Sequence, residues 1–307
     1  MRAAFVRTLI ELAQEDERIF LLVGDVGYSL VEPFAEKFPK RFLNTGIAEQ
    51  NMAGIAAGLA LCDKVVFVYS LANFPTIRCL EQIRIDICYH NVNVNIVASG
   101  GGLTYGTLGY SHHVTEDMAV MRALPNMTII TPGDPIEAAL ATAAVGQHPG
   151  PCYLRLVRTG DPVVHQTPPA FQIGKAIELR TGNDITLISI GGILPNVMQA
   201  ASQLSSRGIE SRVLSMHTLK PLDTDAIMRA VRETKAVVTI EEHSKIGGLG
   251  SAVSEVLAEY NQFRVPFRRI GIDDTISQEV GNQEYLQRLF SLSTGDIASA
   301  AESLIKT

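Results

Sequence analysis

A single acidic residue, Glu49, stands between a polar turn at residues 44–46 and a stretch of small apolar residues at 52–60. Small side chains let a helix pack closely on all sides, so we expect this helix to be buried, with Glu49 at its mouth. A buried carboxyl group favours its protonated form and can give a proton to a ring nitrogen or share one with it. Glu49 also has a purely structural interpretation, because a first-turn Glu offsets the positive end of the helix dipole.

A second group of residues able to do chemistry follows a glycine-rich loop at residues 100–109. His112 and His113 come next, followed by Glu116 and Asp117. An apolar run typical of a buried strand precedes the loop, and ligands bind beyond the carboxyl ends of strands in open parallel sheets. We therefore expect the histidines at the mouth of a binding site. Adjacent side chains of an extended segment point to opposite sides, which disfavours a shared metal ion.

The composition restricts the class of protein. The chain has 307 residues, of which 46% are hydrophobic, enough for two domains. The formal net charge is -6 and no basic cluster occurs, which argues against a nucleic-acid partner. No apolar run reaches the length of a membrane span.

The cysteines indicate a reducing compartment. Cys62, Cys79, Cys88 and Cys152 form no Cys-x-x-Cys pair and lie in apolar contexts. We expect them to be buried free thiols of a cytoplasmic protein, and we expect no zinc site and no other metal ligands.

Apolar runs alternate with helical patterns along the chain. Strands are predicted at residues 19–23, 64–69, 92–98, 127–132, 151–156, 185–190, 211–215, 236–240 and 267–270. Helices are predicted at residues 5–14, 50–61, 76–89, 135–145, 195–207, 223–231 and 250–259, and from 295 onwards. This alternation predicts an α/β fold with a mainly parallel sheet. A linker rich in Pro and polar residues at 160–172 divides the chain into domains 1–165 and 173–307. The glycine-rich pattern at 241–250 is a weak nucleotide-loop signal, and we assign no catalytic residue to the second domain.

Three motifs together carry a resemblance to a known family. They occupy residues 46–50, 74–84 and 111–127. In this order they resemble the C-terminal half of transketolase and, more closely, the second chain of split, two-subunit transketolase-like enzymes. The resemblance runs over nearly the whole chain. It implies a thiamine-diphosphate-binding fold, with a pyrimidine-binding domain followed by a smaller α/β transketolase C-terminal domain.

The resemblance implies roles on the cofactor side. Glu49 matches the family's glutamate, which contacts the pyrimidine nitrogen of thiamine diphosphate and shares a proton with it. This sharing makes the exocyclic nitrogen the base that activates the thiazolium carbon. Phe74 falls where the family packs an aromatic ring on the pyrimidine, and Arg78 of the same motif is expected to bind the cofactor. Asp25 matches an aspartate near the thiazolium and the donor sugar.

The resemblance also implies roles on the substrate side. His112 matches a catalytic histidine that contacts a substrate oxygen, with His113 beside it. Arg158 matches an arginine that binds a substrate phosphate, although a solvated arginine after a strand is the alternative. The expected reaction moves a two-carbon ketol unit from a ketose to an aldehyde, with sugars or sugar phosphates as substrates. Transketolases carry a His and an Asp where this chain has Gly100 and Leu108, which favours a less polar or differently substituted acceptor.

The diphosphate half of the cofactor site is missing from the sequence. Gly24-Asp25-Val26 with Asn51 follows the spacing of the family's magnesium motif, Gly-Asp-Gly with an Asn. Val26 replaces the third Gly and Asn51 belongs to the Glu49 helix, so we reject a metal site here. We expect a partner chain to bind the diphosphate and the magnesium, and a homodimer of this chain to form the core of a heterotetramer. The alternatives are the beta subunit of a 2-oxo-acid dehydrogenase and a non-catalytic binding or regulatory protein that kept the fold.

Overall fold

The structure, a computed structural model, describes residues 1–71, 73–157, 162–260 and 265–306. Strands occupy β1 (Ile19–Val23), β2 (Phe42–Asn44), β3 (Val65–Leu71), β4 (Val94–Ser99), β5 (Thr128–Ile130), β6 (Cys152–Leu156), β7 (Ile177–Arg180), β8 (Ile185–Ile190), β9 (Ser211–Ser215), β10 (Thr218–Lys220), β11 (Val237–Ser244) and β12 (Phe267–Ile272). Helices occupy α1 (Arg2–Glu15), α2 (Glu32–Lys37), α3 (Glu49–Leu61), α4 (Leu80–Gln82), α5 (Asp117–Arg122), α6 (Pro135–Gln147), α7 (Leu194–Ser205), α8 (Thr224–Glu233), α9 (Leu249–Glu259), α10 (Gln283–Leu289) and α11 (Thr294–Lys306).

Two sheets confirm the predicted α/β fold. Within the described ranges the first sheet has seven strands, in the order β10-β5-β6-β4-β3-β1-β2, and the second has five, in the order β12-β11-β8-β9-β7. All neighbouring strands among β1–β6 are parallel, and so are those among β8, β9, β11 and β12. Strands β10 and β7 run antiparallel to their neighbours at the sheet edges. Strands β3, β4 and β6 are buried along almost their whole length, because helices cover both faces of the sheet.

The two sheets do not divide the chain at one point. Strand β10 follows β9 of the second sheet, yet it pairs with β5 of the first, where Thr218 stands opposite Ile130. The domain boundaries at 1–165 and 173–307 therefore stay a prediction, with one strand of the second segment completing the sheet of the first.

The segment expected to form one helix at residues 76–89 is irregular. It begins as a 3₁₀ turn at Ile77–Cys79, passes through α4 and continues as a π-helix at Ile83–Tyr89. Pro75 disfavours a helical conformation at Phe74, so the helical segment does not extend further towards the N-terminus. The alternating isoleucines of the second half, Ile83, Ile85 and Ile87, have branched side chains that lower its α-helical propensity.

In the single chain, two predictions were wrong: that helix α3 is buried on all sides and that all four cysteines are buried. Helix α3 buries Met52, Ala53, Ala56 and Ala57 but exposes an outer stripe comprising Gln50, Asn51, Gly54, Gly58 and Leu61. Its small residues therefore pack closely on one face only. Cys62, just after this helix, is an exposed free thiol, whereas the other three cysteines are buried and free as expected.

Candidate functional site

The chemistry-bearing residues of the first domain gather at the carboxyl ends of β1, β3 and β4. Strand β1 ends just before Gly24, which lies directly against Glu49. A Cβ atom at Gly24 would lie 3.3 Å from Glu49 Cγ and 3.3 Å from Ser70 Oγ. The missing side chain of Gly24 thus lets the start of α3 approach the end of the strand, and it leaves Glu49 only 2% exposed.

Glu49 is held by side chains. Ser70 Oγ donates to its Oε1 at 3.5 Å, and Arg78 Nη1 donates to its Oε2 at 2.8 Å. The backbone carbonyl of Arg78 also accepts a hydrogen bond from Gln50 Nε2 at 3.0 Å. The side chain of Arg78 is 44% exposed, so the buried carboxylate is paired with a group that reaches solvent.

Phe74 links this ion pair to the histidine segment. Arg78 lies over the Phe74 ring, with Cζ 4.2 Å from the ring centroid. His112 meets the same ring edge-on, at a centroid distance of 5.5 Å. The structure therefore brings together Glu49, Phe74, Arg78 and His112, which come from three separate segments of the chain.

Asn73 joins the segment that carries Phe74 to the segment that carries the two histidines. Its Nδ2 donates to the carbonyl oxygens of Ser111 at 3.2 Å and His113 at 2.7 Å. Its Oδ1 is buried and has no hydrogen-bond partner within the described part of the chain. Sequence reasoning missed Asn73, because its partners are 38 and 40 residues away and only the fold brings them close.

The two histidines face different surroundings. Nδ1 of His112 lies 3.0 Å from Ser111 Oγ, and its ring is partly exposed. His113 is 2% exposed, and its Nε2 lies 3.2 Å from the Gly106 carbonyl oxygen. The geometry thus presents His112 towards Phe74 and turns His113 towards the loop that precedes it.

An open cavity of about 420 Å³ lies between the two loops. Its lining residues are Asn73, Phe74, Ile77, Arg78, Tyr110, Ser111, His113 and Glu116. Tyr110 donates from its hydroxyl to Glu116 Oε1 at 2.9 Å, which braces one wall. The cavity walls combine aromatic rings, such as that of Phe74, with polar side chains such as Asn73 and Arg78, which can orient a bound ligand.

Asp25 follows Gly24 at the same edge of the sheet and adopts a positive φ of 54°. Asn44 Nδ2 donates to Asp25 Oδ1 at 3.0 Å, and Asn44 Oδ1 accepts from the Asp25 backbone N–H at 3.1 Å. The side-chain hydrogen bonds from Asn44 and Tyr28 lower the pKa of Asp25. Asp25 is therefore an ionised group presented beside the Glu49 cluster.

The remaining predicted site residue, Arg158, lies outside the described residues. Among the residues that are described, no group of three or more His, Cys, Asp or Glu is arranged to hold a metal ion. No helix in the described ranges is both long and apolar enough to cross a membrane.

The glycine-rich pattern at 241–250 does not form an open nucleotide loop. The Glu241 carboxylate accepts hydrogen bonds from the backbone N–H groups of Leu249 at 2.7 Å and Gly250 at 2.8 Å. These are the amides at the start of α9 that an anionic ligand would need. Burial raises the pKa of Glu241 to about 7.

Comparison with known proteins identifies both halves of the chain. The family model of the transketolase pyrimidine-binding domain matches residues 1–160, and that of the transketolase C-terminal domain matches residues 174–297. The chain is 38% identical over 305 residues to the 6-deoxy-6-sulfo-D-fructose transketolase subunit of Clostridium sp. (strain MSTE9), covering 99% of this chain and 94% of that one. It is also 38% identical over 307 residues to one of the subunits of the apulose-4-phosphate transketolase of Phocaeicola vulgatus, covering 99% and 97%.

A solved structure agrees with these relatives. It is described as a split-gene transketolase in an inactive beta4 tetramer, and it superposes with a TM-score of 0.90 at 38% identity. The alignment covers 99% of this chain and 97% of that chain. The similarity therefore extends through both domains.

Proposed function

Because this chain belongs to the transketolase family, we propose that the cluster of Glu49, Phe74, Arg78 and His112 is its half of the active site. The chain is one subunit of a split, thiamine-diphosphate-dependent transketolase-like enzyme, which transfers a two-carbon ketol unit and acts with a separate diphosphate-binding subunit. The observation that carries the proposal is Glu49 itself. It is a buried carboxylate at the carboxyl edge of the sheet, and it contacts Arg78, which also lies over the half-buried ring of Phe74.

The residues at the site fit the pyrimidine part of the cofactor. Phe74 offers a ring face, Glu49 a buried carboxylate and Asn73 a buried oxygen without a partner among the described residues. A flat aminopyrimidine needs these three things, namely a stacking surface, a proton-sharing partner at a ring nitrogen and an acceptor for an amino group. Arg78 reaches both Glu49 and Phe74 and would adjust when the ring enters.

When bound, thiamine diphosphate supplies the carbon nucleophile and holds the electrons of the cleaved bond. The chain's own residues serve that chemistry by placing protons. Glu49 would share a proton with the pyrimidine nitrogen, and Ser70 and Arg78 would hold the carboxylate in place. His112, steadied by Ser111 at Nδ1, would contact a substrate oxygen.

We assign the outer residues to the substrate and to the thiazolium side. Asp25 would lie near the donor sugar, His113 would shape the loop wall, and Arg158 would bind an anionic group of the substrate. Two relatives are named for 6-deoxy-6-sulfo-D-fructose and apulose 4-phosphate, which both carry an anionic substituent. We propose an anionic, sugar-derived substrate for this chain too.

The acceptor side differs from that of ordinary transketolases at two positions. A Cβ atom at Gly100 would lie 2.0 Å from the ring of Tyr105, so this aromatic fills the space beside the glycine. Leu108 is 54% exposed on the neighbouring turn. An aromatic and an aliphatic side chain support an acceptor that is less polar or differently substituted there.

The assembly follows from the incomplete site and from the exposed face of α3. A partner subunit would supply the diphosphate contacts and the magnesium ligands. Among the described residues outside α3 itself, no atom lies within 4 Å of a Cβ added at Gly54 or Gly58, so a second copy of this chain can approach α3 closely. We propose a homodimer core within a cytoplasmic heterotetramer, built from domains 1–165 and 173–307. Sedimentation at micromolar concentration tests the core, and a clean monomer would contradict it.

The function is tested by reconstitution. The isolated chain is titrated with thiamine diphosphate and magnesium by calorimetry, and then assayed with a subunit that carries Gly-Asp-Gly and a downstream Asn. Hydroxypyruvate serves as the donor, with a panel of phosphorylated and sulfonated aldehydes as acceptors. We expect weak cofactor binding and no turnover without the partner, and ketol transfer with it. Tight, magnesium-dependent binding by the isolated chain would contradict the two-chain site.

A further inference from the structure

The segment that carries both histidines is a closed loop whose base touches the second domain. We name residues 103–113 the histidine loop. Its two ends meet in an antiparallel bridge between Gly102 and Val114, in which each N–H donates to the other's carbonyl oxygen at 3.0 and 2.8 Å. A shift at this base would therefore move His112 and His113 together.

A buried carboxyl group from the second domain accepts a hydrogen bond from one side of that base. Glu242, in β11, is 4% exposed, and its Oε1 accepts from the Leu103 backbone N–H at 2.6 Å. A Cβ atom at Gly102 would lie 2.3 Å from the same oxygen, and Gly102 has a φ of +68°. Glycine is thus required at this position both by its conformation and by the closeness of Glu242.

The other partners of Glu242 come from α10. Gln283 Nε2 donates to Oε1 at 2.9 Å and to Oε2 at 3.1 Å, and Gln287 Nε2 donates to Oε2 at 2.5 Å. Every group facing the carboxylate in these contacts is an N–H donor. An ionised carboxylate, which only accepts, satisfies all of them, whereas an amide at this position would turn an NH₂ group against one of the donors.

Arg155 of β6 fixes the opposite side of the base. The guanidinium is buried, and its Nη2 donates to the Val114 carbonyl oxygen at 2.7 Å and to the Glu242 carbonyl oxygen at 3.2 Å. Its Nε donates to Asp117 Oδ2 at 2.8 Å. The base of the histidine loop is therefore held between a buried guanidinium group from the first domain and a buried carboxyl group from the second.

The second domain also contacts the body of the loop. The Gly281 backbone N–H donates to the Gly106 carbonyl oxygen at 3.4 Å, which is the oxygen that lies near His113 Nε2. A Cβ atom at Gly106 would lie 2.5 Å from the Gly281 carbonyl oxygen. One segment that runs into α10 thus touches the loop directly and also reaches it through Glu242.

We propose that Glu242 is a positioning residue of the active site, through which the C-terminal domain sets the place of His112. The inference rests on the proposed role of His112. It assigns to the second domain a task in substrate binding, although none of the residues that the structure describes in that domain lines the cavity between the two loops.

The neighbouring residue provides a matched control. Glu241 is buried in the same strand, but its carboxylate bonds to Leu249 and Gly250 in its own domain. Glu241→Gln and Glu242→Gln make the same change, a buried carboxyl group replaced by an amide, at adjacent positions. Only the second change alters the contacts of the histidine loop.

The experiment uses the enzyme assembled with its diphosphate-binding subunit. For Glu242→Gln we expect the KM for substrate to rise about tenfold, the effect of losing one buried hydrogen bond, while the affinity for thiamine diphosphate stays within about twofold of wild type. We expect the amides of residues 103–113 to exchange with deuterium faster. For Glu241→Gln we expect a lower melting temperature with the KM and the loop exchange of wild type.

Each outcome supports or overturns the role of Glu242. Wild-type KM and loop exchange in Glu242→Gln would overturn the proposal, as would equal effects of the two variants. If Glu242→Gln does not fold, Gln283→Leu removes one donor while keeping the charge, and a change in neither KM nor loop exchange would overturn the proposal. If assembled wild type transfers no ketol unit, the proposed function fails, whereas the exchange data still decide whether Glu242 holds the loop.

Discussion

The carboxyl edges of the two sheets carry the same pair of features and use them differently. Each has a buried glutamate beside the start of a helix, Glu49 at α3 and Glu241 at α9. Glu241 accepts from two backbone amides of its helix. Glu49 accepts instead from the side chains of Ser70 and Arg78.

The difference separates a structural carboxylate from one available for chemistry. Backbone amides in a helix are fixed, so Glu241 is committed to holding α9 in place. Arg78 is a long side chain that is 44% exposed, and it can change partners without unfolding its element. The first edge can therefore exchange an internal contact for a ligand, and the second edge cannot.

The largest expected effect is that of Glu49→Gln. The amide keeps the size of the side chain but cannot hand over a proton, and losing general acid–base help costs ~10²–10⁴-fold in rate. We expect deuterium exchange at the thiazolium carbon to slow by a factor in the upper part of this range. The melting temperature should not change. If Glu49 only offset the helix dipole, the variant would lose about 0.3–1 kcal/mol of stability and keep wild-type exchange.

Glu241→Gln should change the pH dependence of stability instead. Burial raises the pKa of this carboxyl from 4.5 to about 7, so the protonated group contributes to the stability of the folded protein. This contribution is complete below about pH 4.5 and is lost as the pH rises through about 7. A pKa difference of this size corresponds to at most about 3 kcal/mol. Urea unfolding at pH 5 and pH 8 should show a smaller loss for the variant than for wild type. Parallel losses in both proteins would contradict the assignment.

The smallest expected effect concerns aromatic side chains at the two edges. Phe74→Leu should weaken thiamine diphosphate binding by the assembled enzyme about tenfold, because aromatic stacking contributes about 0.5–1.5 kcal/mol beyond area burial. Phe290, which lines a cavity at the edge of the second sheet, is the matched control. Phe290→Leu should leave the cofactor affinity unchanged in a calorimetric titration. Equal affinities of the two variants would remove the distinction between the edges.

The sequence by itself determined the α/β class and the positions of most strands along the chain. The apolar run at residues 19–23 is a largely buried parallel strand, because only a strand covered on both faces tolerates so continuous an apolar run. It also carried the motifs that identify the family, since these depend on local spacing. The roles of Glu49, Phe74, Asp25, Arg78, His112, His113 and Arg158 stay predictions.

Only the tertiary structure decided which groups meet. Asn73 joins Ser111 and His113, and Glu242 reaches Leu103 across 139 positions of sequence. The tertiary structure also decided that β10 pairs with the first sheet although it follows a strand of the second, and that one face of α3 is exposed. Local sequence patterns indicate which side chains are buried, but they do not indicate which residues pack beside them. Hydrogen bonds between distant segments form only after strand order and helix packing have brought those segments together.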